Sequence, residues 1–210
     1  MSWHPEILSR RQLHVLAQLG ALLTRNGFYL AGGTAVALHL GHRRSVDLDW
    51  FTAERIPDPL SLAQDLREAG VAFVTGQVAQ GTLYGTVGGV RVSLMEYRYP
   101  ILAALRSWRR PGIRIAARAD LAAMKLAAVA QRGAKKDFVD VYALGRRSCS
   151  LRQMLGWYQE KYSIQDIAHL LYSLAYFDDA EKERMPRLLW DMNWRKMKET
   201  MRRWLRAVTH

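Results

Sequence analysis

Two aspartates in an otherwise apolar stretch place the strongest constraint on this chain. They alternate with apolar residues in SVDLDWF, shortly after a Gly-Gly-Thr turn. Alternation at period two predicts a strand that carries Asp47 and Asp49 on one face. The opposite face is apolar, with residues Val46, Leu48 and Trp50. Although a lone Asp-x-Asp also fits an exposed strand face, two carboxylates about 7 Å apart can hold one divalent cation or lie between two. We therefore predict Asp47 and Asp49 as ligands of Mg²⁺ (or Mn²⁺).

A glycine turn ahead of these acids has the features of a phosphate site. Gly32, Gly33 and Thr34 lead into the apolar stretch TAVALHLG, which we predict as a helix with Thr34 as its cap. Backbone N–H groups and the helix dipole favour a phosphate at a helix N-terminus. Arg43 and Ser45 lie just before the acids, where we expect them to contact a triphosphate. A phosphate cradle beside metal-binding acids is the equipment of phosphoryl or nucleotidyl transfer.

The remaining pattern indicates an α+β fold. A leading helix with leucines at helical spacing is followed by short strands, a helix, and two or three strands joined by glycine turns. The last of these strands, VRVSLMEY, is expected to pair close to the Asp-Leu-Asp strand. Beyond Pro111 the pattern is helical, with Asp120 as a predicted cap and FDDAEKERMPRLL as a predicted loop. We therefore expect a small mixed β-sheet core with helices at residues 1–110, followed by a helical C-terminal subdomain at residues 111–210.

The chain carries a large positive charge. Against 19 acids it has 31 lysines and arginines, which gives a formal net charge of +12 and a pI of about 10.2. Such a surplus attracts polyanions, and nucleic acid is the usual one. The basic tail WRKMKETMRRWLRAVTH is open to three interpretations: it contacts RNA phosphates, it binds an acidic protein, or it only keeps this end soluble.

Cysteine usage and hydropathy bear on location. Cys149 is the single cysteine, so an internal disulfide is excluded and a reducing cytoplasm fits. Because no apolar stretch reaches about 18 residues without charge, we expect no membrane association and a cytoplasmic location. The six histidines show no metal-ligand spacing. We interpret His39 and His42 as residues on the surface or just behind a site.

A second block of charged residues lies in the C-terminal half. Lys125 stands in an otherwise apolar helix, so its ammonium either extends to water at the edge of the apolar face or contacts an anion. Lys135, Lys136 and Asp137 stand at a helix start. There Asp137 is a cap, the three form a solvated charge run, or they neutralise charge at a metal–triphosphate. The residue pattern by itself leaves these alternatives open.

The chain also resembles known families. Gly32-Gly33, a gap of 13 residues between Gly33 and Asp47, and two acids among hydrophobics are similar to the signature of the polymerase-beta-like nucleotidyltransferase superfamily. The blocks HRRSVDLDWF, DLAAMKLAAVAQRGAKKDFVDVYAL and YFDDAE resemble the AbiEii-type nucleotidyltransferase toxin family, over about residues 28–198. The resemblance implies the toxin of a bacterial abortive-infection or toxin–antitoxin pair. Such a toxin transfers an NMP from an NTP to an RNA, tRNA in particular, and has a cognate antitoxin as its partner.

The same resemblance assigns roles to the second block. It implies that Lys125 and Arg132 meet the nucleotide phosphates, with Lys136 as a further nucleotide-binding candidate. Asp137 would be another essential acid near the site, and Asp140 a second candidate for such a role.

One departure from the family pattern concerns the general base. Many polymerase-beta-like enzymes carry a third acid on a later strand, where this chain has Ser93, and Glu96 should point to the opposite face. The base is therefore open between Asp49 and Asp137, with slow or absent turnover as the third alternative. Two other functions stay open: a nucleotide- or RNA-binding module that works through a partner, and a nucleotidyltransferase that acts on a protein or a small molecule.

Overall fold

A capping box opens the first helix of the computed structural model, which describes residues 3–209. The Ser9 hydroxyl accepts a hydrogen bond from the backbone N–H of Gln12, and the Gln12 side chain accepts one from the N–H of Ser9. This reciprocal pairing satisfies two donors that a helix start leaves free. The helix then buries leucines at the predicted helical spacing, namely Leu16, Leu19 and Leu23.

Strands and helices alternate in the first half of the chain, and helices follow in the second. The strands are β1 (Tyr29–Leu30), β2 (Leu48–Thr52), β3 (Phe73–Ala79), β4 (Thr82–Val87), β5 (Val90–Glu96), β6 (Arg106–Trp108) and β7 (Ile113–Ile115). The helices are α1 (Arg10–Arg25), α2 (Gly32–Leu40), α3 (Pro59–Glu68), α4 (Arg118–Arg132), α5 (Lys135–Arg147), α6 (Leu151–Tyr162), α7 (Ala168–Ala175), α8 (Asp178–Glu181) and α9 (Trp194–Thr209).

The strand of the acids lies in the middle of the sheet. The spatial order is β3-β4-β5-β2-β1-β7-β6, and β2 runs parallel to β5 and antiparallel to β1. In the β2–β5 register Asp49 lies opposite Ser93, and Phe51 lies opposite Met95. The predicted pairing of VRVSLMEY with the acid strand is therefore confirmed, and the sheet is mixed as predicted.

The helical half packs directly against the sheet. Leu48 of β2, Leu126 of α4 and Met154 of α6 belong to one cluster of buried hydrophobic side chains. The sheet itself runs past residue 110, because β7 pairs with β1. The predicted α+β class is confirmed. The division at 110/111 stays a prediction, and the sheet extends to Ile115 beyond it.

The start of α2 differs from the sequence prediction. Ala31 is its N-cap, so Thr34 lies inside the first turn and the prediction of Thr34 as the cap is wrong. Thr34 is fully buried, and its hydroxyl donates a hydrogen bond to the backbone carbonyl of Asp47. The short polar side chain therefore fixes the backbone ahead of β2 instead of capping its own helix.

The predicted cap of α4 is also wrong. Ala117 is the N-cap, and Asp120 is buried in the first turn. The Asp120 carboxylate accepts hydrogen bonds from the N–H groups of Leu102 and Ala103 and from the ammonium of Lys161 at 2.7 Å. It therefore ties the loop after β5 to α4 and α6.

Three smaller expectations are corrected by burial and by helix assignment. Val46 precedes β2 and is 64% exposed, so it does not share the buried face of Leu48. His39 and His42 are buried, which excludes the surface interpretation. The segment predicted as a loop contains α8. Within residues 3–209, no helix combines the length and apolar character needed to cross a bilayer.

Gly32 lets the helix start approach the acid strand. Its φ is +65°, in the left-handed region that side chains disfavour. A Cβ there would lie 2.5 Å from Oδ2 of Asp49. Because contacts this short do not occur between such atoms, either the helix start or the Asp49 carboxylate would have to move.

We expect Gly32→Ala to lower the free energy of unfolding by about 1–2 kcal/mol or more, because the left-handed backbone and the carboxylate both oppose a side chain. Gly156→Ala is the matched control, since Gly156 lies in α6 and a Cβ there meets nothing within 4 Å. That control should raise stability by about 0.5–1 kcal/mol. Urea denaturation measures both, and a Gly32→Ala protein as stable as the parent would contradict the expected strain.

Candidate active site

Asp47 and Asp49 lie at the floor of an open cleft between the sheet and the helices. The cleft has a volume of about 990 Å³, which is at the upper end of the usual range for ligand sites. Side chains of β2, β4 and β5 line it from the sheet, and side chains of α4, α6 and α7 line it from the other side. Asp47 lies just before β2 and accepts a hydrogen bond from Nε of Arg91 at 2.7 Å. The predicted acid pair therefore opens into a cleft large enough for a ligand.

Asp47 affects the ionisation of Asp49. Burial and the negative charge of Asp47 raise the pKa of Asp49 above its ordinary value, while Lys125 and a hydrogen bond from Ser93 oppose that rise. Two like charges held this close favour a compensating cation.

The donor set fits one hard divalent cation. It consists of two carboxylates with the Ser93 hydroxyl opposite Asp49 in the β2–β5 register. Among residues 3–209, no three His, Cys, Asp or Glu side chains are grouped as a metal cage. Mg²⁺ is typically held by one or two carboxylates, with water and substrate phosphates completing its octahedron. Asp47 and Asp49 match that pattern.

The start of α2 supplies backbone donors at the cleft. Gly32 and Gly33 form its first turn and line the cleft. The first N–H groups of a helix lack partners within the helix. A Cβ on Gly33 would collide with Nη2 of Arg43, so the missing side chain lets that guanidinium lie against the turn. Backbone donors and the positive end of a helix dipole therefore lie beside Asp49.

Asp140 is the centre of an ion cluster formed by Arg43, Lys125, Arg132, Asp137 and Asp140. Its Oδ1 accepts hydrogen bonds from Nε of Arg43 at 2.6 Å and from Nε2 of His42 at 2.8 Å. Its Oδ2 accepts from Nη2 of Arg43 at 2.8 Å and lies 2.8 Å from Nζ of Lys125. Burial alone would raise the pKa of Asp140, but Arg43 and Lys125 hold it well below its ordinary value. Asp140 is therefore ionised and serves two buried cations at once.

Asp137 holds the other side of the cluster. Its Oδ1 accepts hydrogen bonds from Lys125 at 2.9 Å and from Nη2 of Arg132 at 3.0 Å, and its Oδ2 accepts from Nε of Arg132 at 2.7 Å. Burial opposes ionisation, but the charges of Lys125 and Arg132 lower the pKa of Asp137. Because cations occupy both of its oxygens, this geometry suits a positioning residue better than a general base.

The ion cluster presents positive charge to the cleft. Three cations and two carboxylates leave one net positive charge, and Lys136 adds another beside it. Arg132 is 56% exposed although its guanidinium is bound to Asp137. The charges of Lys125 and Lys136 both act on the pKa of Asp49. An anion above the acid pair would therefore meet fixed positive charge on the helical side.

Comparison with known proteins identifies the family. A family model described as "Nucleotidyl transferase AbiEii toxin, Type IV TA system" matches residues 14–111. A protein of Aquifex aeolicus (strain VF5) is 37% identical over 178 residues, which cover 84% of this chain and 86% of that protein. The chain belongs to the AbiEii nucleotidyltransferase toxin family. It is accordingly an enzyme of the nucleotidyltransferase class, and the resemblance noted from the sequence is confirmed.

Solved structures agree with the fold of this AbiEii-family enzyme. JHP933 from Helicobacter pylori has a TM-score of 0.61 at 16% identity, and the match covers 99% of this chain and 93% of that one. The nucleotidyltransferase toxin MenT4 from Mycobacterium tuberculosis H37Rv has a TM-score of 0.54 at 16% identity, with 94% and 82% covered. At this level of identity the likeness concerns the fold, and it spans both the sheet and the helical half.

Most residues predicted for the site come together in the AbiEii-family cleft. Those that line it are Gly32, Gly33, Arg43, Ser45, Asp47, Asp49, Lys125, Arg132 and Lys136. Thr34 and Asp137 do not line it. Thr34 holds the backbone at Asp47, and Asp137 holds Lys125 and Arg132 from behind.

Two alternatives left open for the second block are excluded. Lys125 is buried and paired with two carboxylates, so it does not extend to water. Asp137 is not a cap, because Ala134 is the N-cap of α5 and has no side-chain cap hydrogen bond. Lys135 points away from the cleft: its ammonium donates hydrogen bonds to the carbonyls of Glu181 and Glu183. It therefore anchors the segment that follows α8.

Ser93 lies at the predicted position, where many polymerase-beta-like enzymes carry a third acid. Ser93 lines the cleft opposite Asp49, and no carboxylate replaces it on β5 at that point. Glu96 was expected on the opposite face, but it also lines the cleft. Its carboxylate accepts a hydrogen bond from the N–H of Ile56 at 3.0 Å and pairs with Arg98 at 2.5 Å. Glu96 is therefore engaged elsewhere.

The sequence prediction missed Arg44 and Arg187, which also line the cleft. The N–H of Arg44 donates to the carbonyl of Arg187 at 2.9 Å, and the N–H of Leu189 donates to the carbonyl of His42 at 2.9 Å. This pairing brings a C-terminal loop beside the loop that precedes the acids. Because the two segments lie far apart in the chain, no local pattern signals their contact.

Aromatic side chains of the cleft were missed as well. They are Phe51, Tyr84, Tyr97, Tyr99, Tyr158 and Tyr162. The spacing of Tyr158 and Tyr162, four residues apart on one helix, was an available signal for a shared face.

We expect Asp140→Ala to destabilise the enzyme by about 3–5 kcal/mol, because Arg43 and Lys125 would lose their shared buried counter-ion. Asp179→Ala is the control. It removes the partner of an exposed lysine, Lys182, at 3.7 Å, and should change stability by less than about 0.5 kcal/mol. Chemical denaturation at neutral pH measures both. Equal stabilities of the two variants would show that the cluster contributes little.

The effect of Asp140→Ala should depend on pH in a defined direction. The folded state lowers the pKa of Asp140, so its stabilising contribution is complete above the unfolded value of about 3.9 and is lost as pH falls through the folded value. The stability difference between parent and variant should therefore narrow below about pH 4. Denaturation curves at several acid pH values test this, and a constant difference would contradict it.

Proposed function

We propose that this AbiEii-family enzyme is a metal-dependent toxin that transfers an NMP from an NTP to RNA, with tRNA as the acceptor and a cognate antitoxin as its partner. In this reaction an acceptor hydroxyl oxygen forms a bond to the α-phosphorus. The bond from that phosphorus to the oxygen bridging to the β-phosphate breaks, pyrophosphate leaves, and the hydroxyl proton passes to a base or to water. The supporting observation is that the acid pair, the glycine turn and the cations of α4 and α5 surround one cleft.

In this proposal the acids hold the metal, and the backbone donors and Arg132 contact the phosphates. Asp47 and Asp49 would hold Mg²⁺ (or Mn²⁺), which supplies charge stabilisation to the attacking and leaving oxygens when bound. The backbone N–H groups of Gly32 and Gly33 are placed to bind phosphate oxygens at the helix start. Arg132 is held by Asp137 in a fixed orientation at the cleft. Fixed donors of this kind stabilise developing negative charge without reorganising.

The lining of the cleft supports Asp49 over Asp137 as the general base. Asp137 lies behind the cleft with both oxygens bound to cations. Ser93 lies where a third acid is often found in this fold and is no base at neutral pH. Of the two carboxylates that the sequence offered as the base, Asp49 alone lines the cleft.

The charge of the protein supports an RNA acceptor. The formal net charge is +12, and half-buried Arg44 and exposed Arg187 add basic groups to a cleft whose volume is about 990 Å³. Basic surfaces around an open cleft favour a polyanionic substrate over a neutral one. Ser93 in place of a third acid is the observation that favours the second candidate, a module that binds nucleotide or RNA without transferring it.

We expect Asp47→Asn and Asp49→Asn each to reduce transfer of label from an α-³²P-labelled NTP to total tRNA by roughly 100-fold or more, because each removes a charged ligand from the reacting centre. The melting temperature of Asp49→Asn should be no lower than that of the parent, since burial and Asp47 raise the pKa of Asp49 and so disfavour its charge. Asp65→Asn, on the exposed face of α3 and outside the cleft, is the control.

Three outcomes decide between the candidates. Folded Asp47→Asn and Asp49→Asn proteins with parental transfer would contradict the metal-site assignment. A parent protein that binds NTP by calorimetry but labels no acceptor would favour the binding module. Label on protein or on a small molecule, with none on RNA, would keep the transferase chemistry and replace the acceptor.

A further inference from the structure

One end of the cleft is built from aromatic rings that the proposed reaction does not yet use. We call it the aromatic wall, and it consists of Phe51, Tyr97, Tyr99, Tyr158 and Tyr162. The first three come from β2 and the segment after β5, and the last two come from α6. The wall therefore joins the sheet to the helical half at the cleft.

The wall lies one step along the strands from the acids. Phe51 follows Asp49 by two residues on the same face of β2, and Met95 follows Ser93 in the same way on β5. Two residues of a strand span about 7 Å. A phosphate at Asp49 would therefore have Phe51, the first ring of the wall, about one sugar away, with the tyrosines beyond it.

The rings hold one another in fixed positions. Tyr99 packs against Tyr97 with centroids 4.9 Å apart and against Tyr162 at 4.8 Å, and Tyr158 packs on Tyr162 at 4.8 Å. Phe51 meets Tyr97 edge to face at 5.2 Å. The hydroxyl groups of Tyr97 and Tyr162 hydrogen-bond to each other. Tilted and edge-to-face contacts at these separations are favourable, so the wall is ordered before any ligand arrives.

The wall nevertheless keeps an open face. Tyr99 is 46% exposed, and Tyr158 is only partly buried. The Lys161 ammonium lies 5.7 Å from the centroid of the Tyr97 ring, but it is buried, pairs with Asp120 and does not line the cleft. The cations Arg132, Lys136 and Arg44 line the cleft from α4, α5 and the loop before the acids. Met95, which lies opposite Phe51 in the β2–β5 register, and Met124 of α4 add apolar side chains to the lining of the cleft. This end of the cleft therefore suits a flat, uncharged, aromatic group.

We propose that the aromatic wall is a nucleobase-stacking subsite, with Tyr99 and Tyr158 as the rings that contact the base. The proposal rests on the proposed function, in which both the NTP and the RNA acceptor bring bases to this cleft. Stacking on aromatic side chains tolerates any base, because every base has a π-face. The base belongs either to the NTP or to the terminal nucleotide of the RNA, and separate binding measurements distinguish these sources.

The first measurement uses calorimetry with Mg²⁺ and each of the four NTPs, beside inorganic tripolyphosphate as a probe that lacks a base. If the wall stacks the base of the NTP, Tyr99→Ala and Tyr158→Ala should each weaken NTP binding by about 10-fold and leave tripolyphosphate binding unchanged. Tyr99→Phe keeps the ring and should retain parental affinity. Tyr172→Ala is the matched control, since Tyr172 is exposed on α7 outside the cleft.

The second measurement uses a short single-stranded RNA, with and without the base on its 3′-terminal nucleotide. If the wall stacks the acceptor base, Tyr99→Ala should weaken binding of the intact RNA by about 10-fold and leave binding of the abasic RNA unchanged. Parental affinities of Tyr99→Ala and Tyr158→Ala for the NTPs and the intact RNA would overturn the proposal. Equal weakening for the probes with and without a base would overturn it as well.

These measurements distinguish a failure of the stacking subsite from a failure of the proposed transferase function. The binding measurements need no turnover, so a wall-dependent preference for probes with a base would stand even if the parent protein labelled no RNA. Conversely, parental transfer by Tyr99→Ala together with unchanged binding would overturn the stacking subsite and leave the transferase assignment intact.

Discussion

The shared carboxylate of Asp140 is the interaction on which the site depends. It binds Arg43 from the loop before the acids and Lys125 from α4, and it stands on α5 itself. Three segments that are distant in the chain thus meet at one buried group. Pairing a buried charge with two hydrogen-bonded cations avoids the large cost of leaving any of them alone in the interior. The position of the loop that leads into Asp47 therefore follows from charge pairing as well as from apolar packing.

The ion cluster also determines which cations of the cleft remain available to an anion. Lys125 and Arg43 are neutralised by buried carboxylates, so they shape the cleft more than they bind an anion in it. Arg132 is bound to Asp137 on one side and remains half exposed on the other. An arginine held in this way loses little further freedom on meeting a phosphate, because its guanidinium is already oriented. Charge that is fixed in advance is the kind that stabilises a transition state most effectively.

The sequence predicted the parts of the site that are encoded locally. Asp47 and Asp49 follow from alternation in one strand, and the glycine turn follows from the residues at one helix start. The partnership of Arg43 with Asp140 was out of reach, because it depends on how α5 packs against α2. The same holds for Arg187, which a backbone pairing between distant loops brings to the cleft. Thr34 shows the converse error: a good capping residue was given a local role, whereas its hydroxyl serves the backbone of Asp47.

Ser93 in place of a third acid has an electrostatic consequence for Asp49. Burial and Asp47 already raise the pKa of Asp49, and another carboxylate opposite it would raise that pKa further. A serine hydroxyl instead donates a hydrogen bond, which favours the ionised form. Although Ser93 is no base, it therefore helps to keep the partly buried, metal-binding carboxylate of Asp49 charged. The chain has one acid fewer than the usual pattern, and Asp49 is easier to ionise as a result.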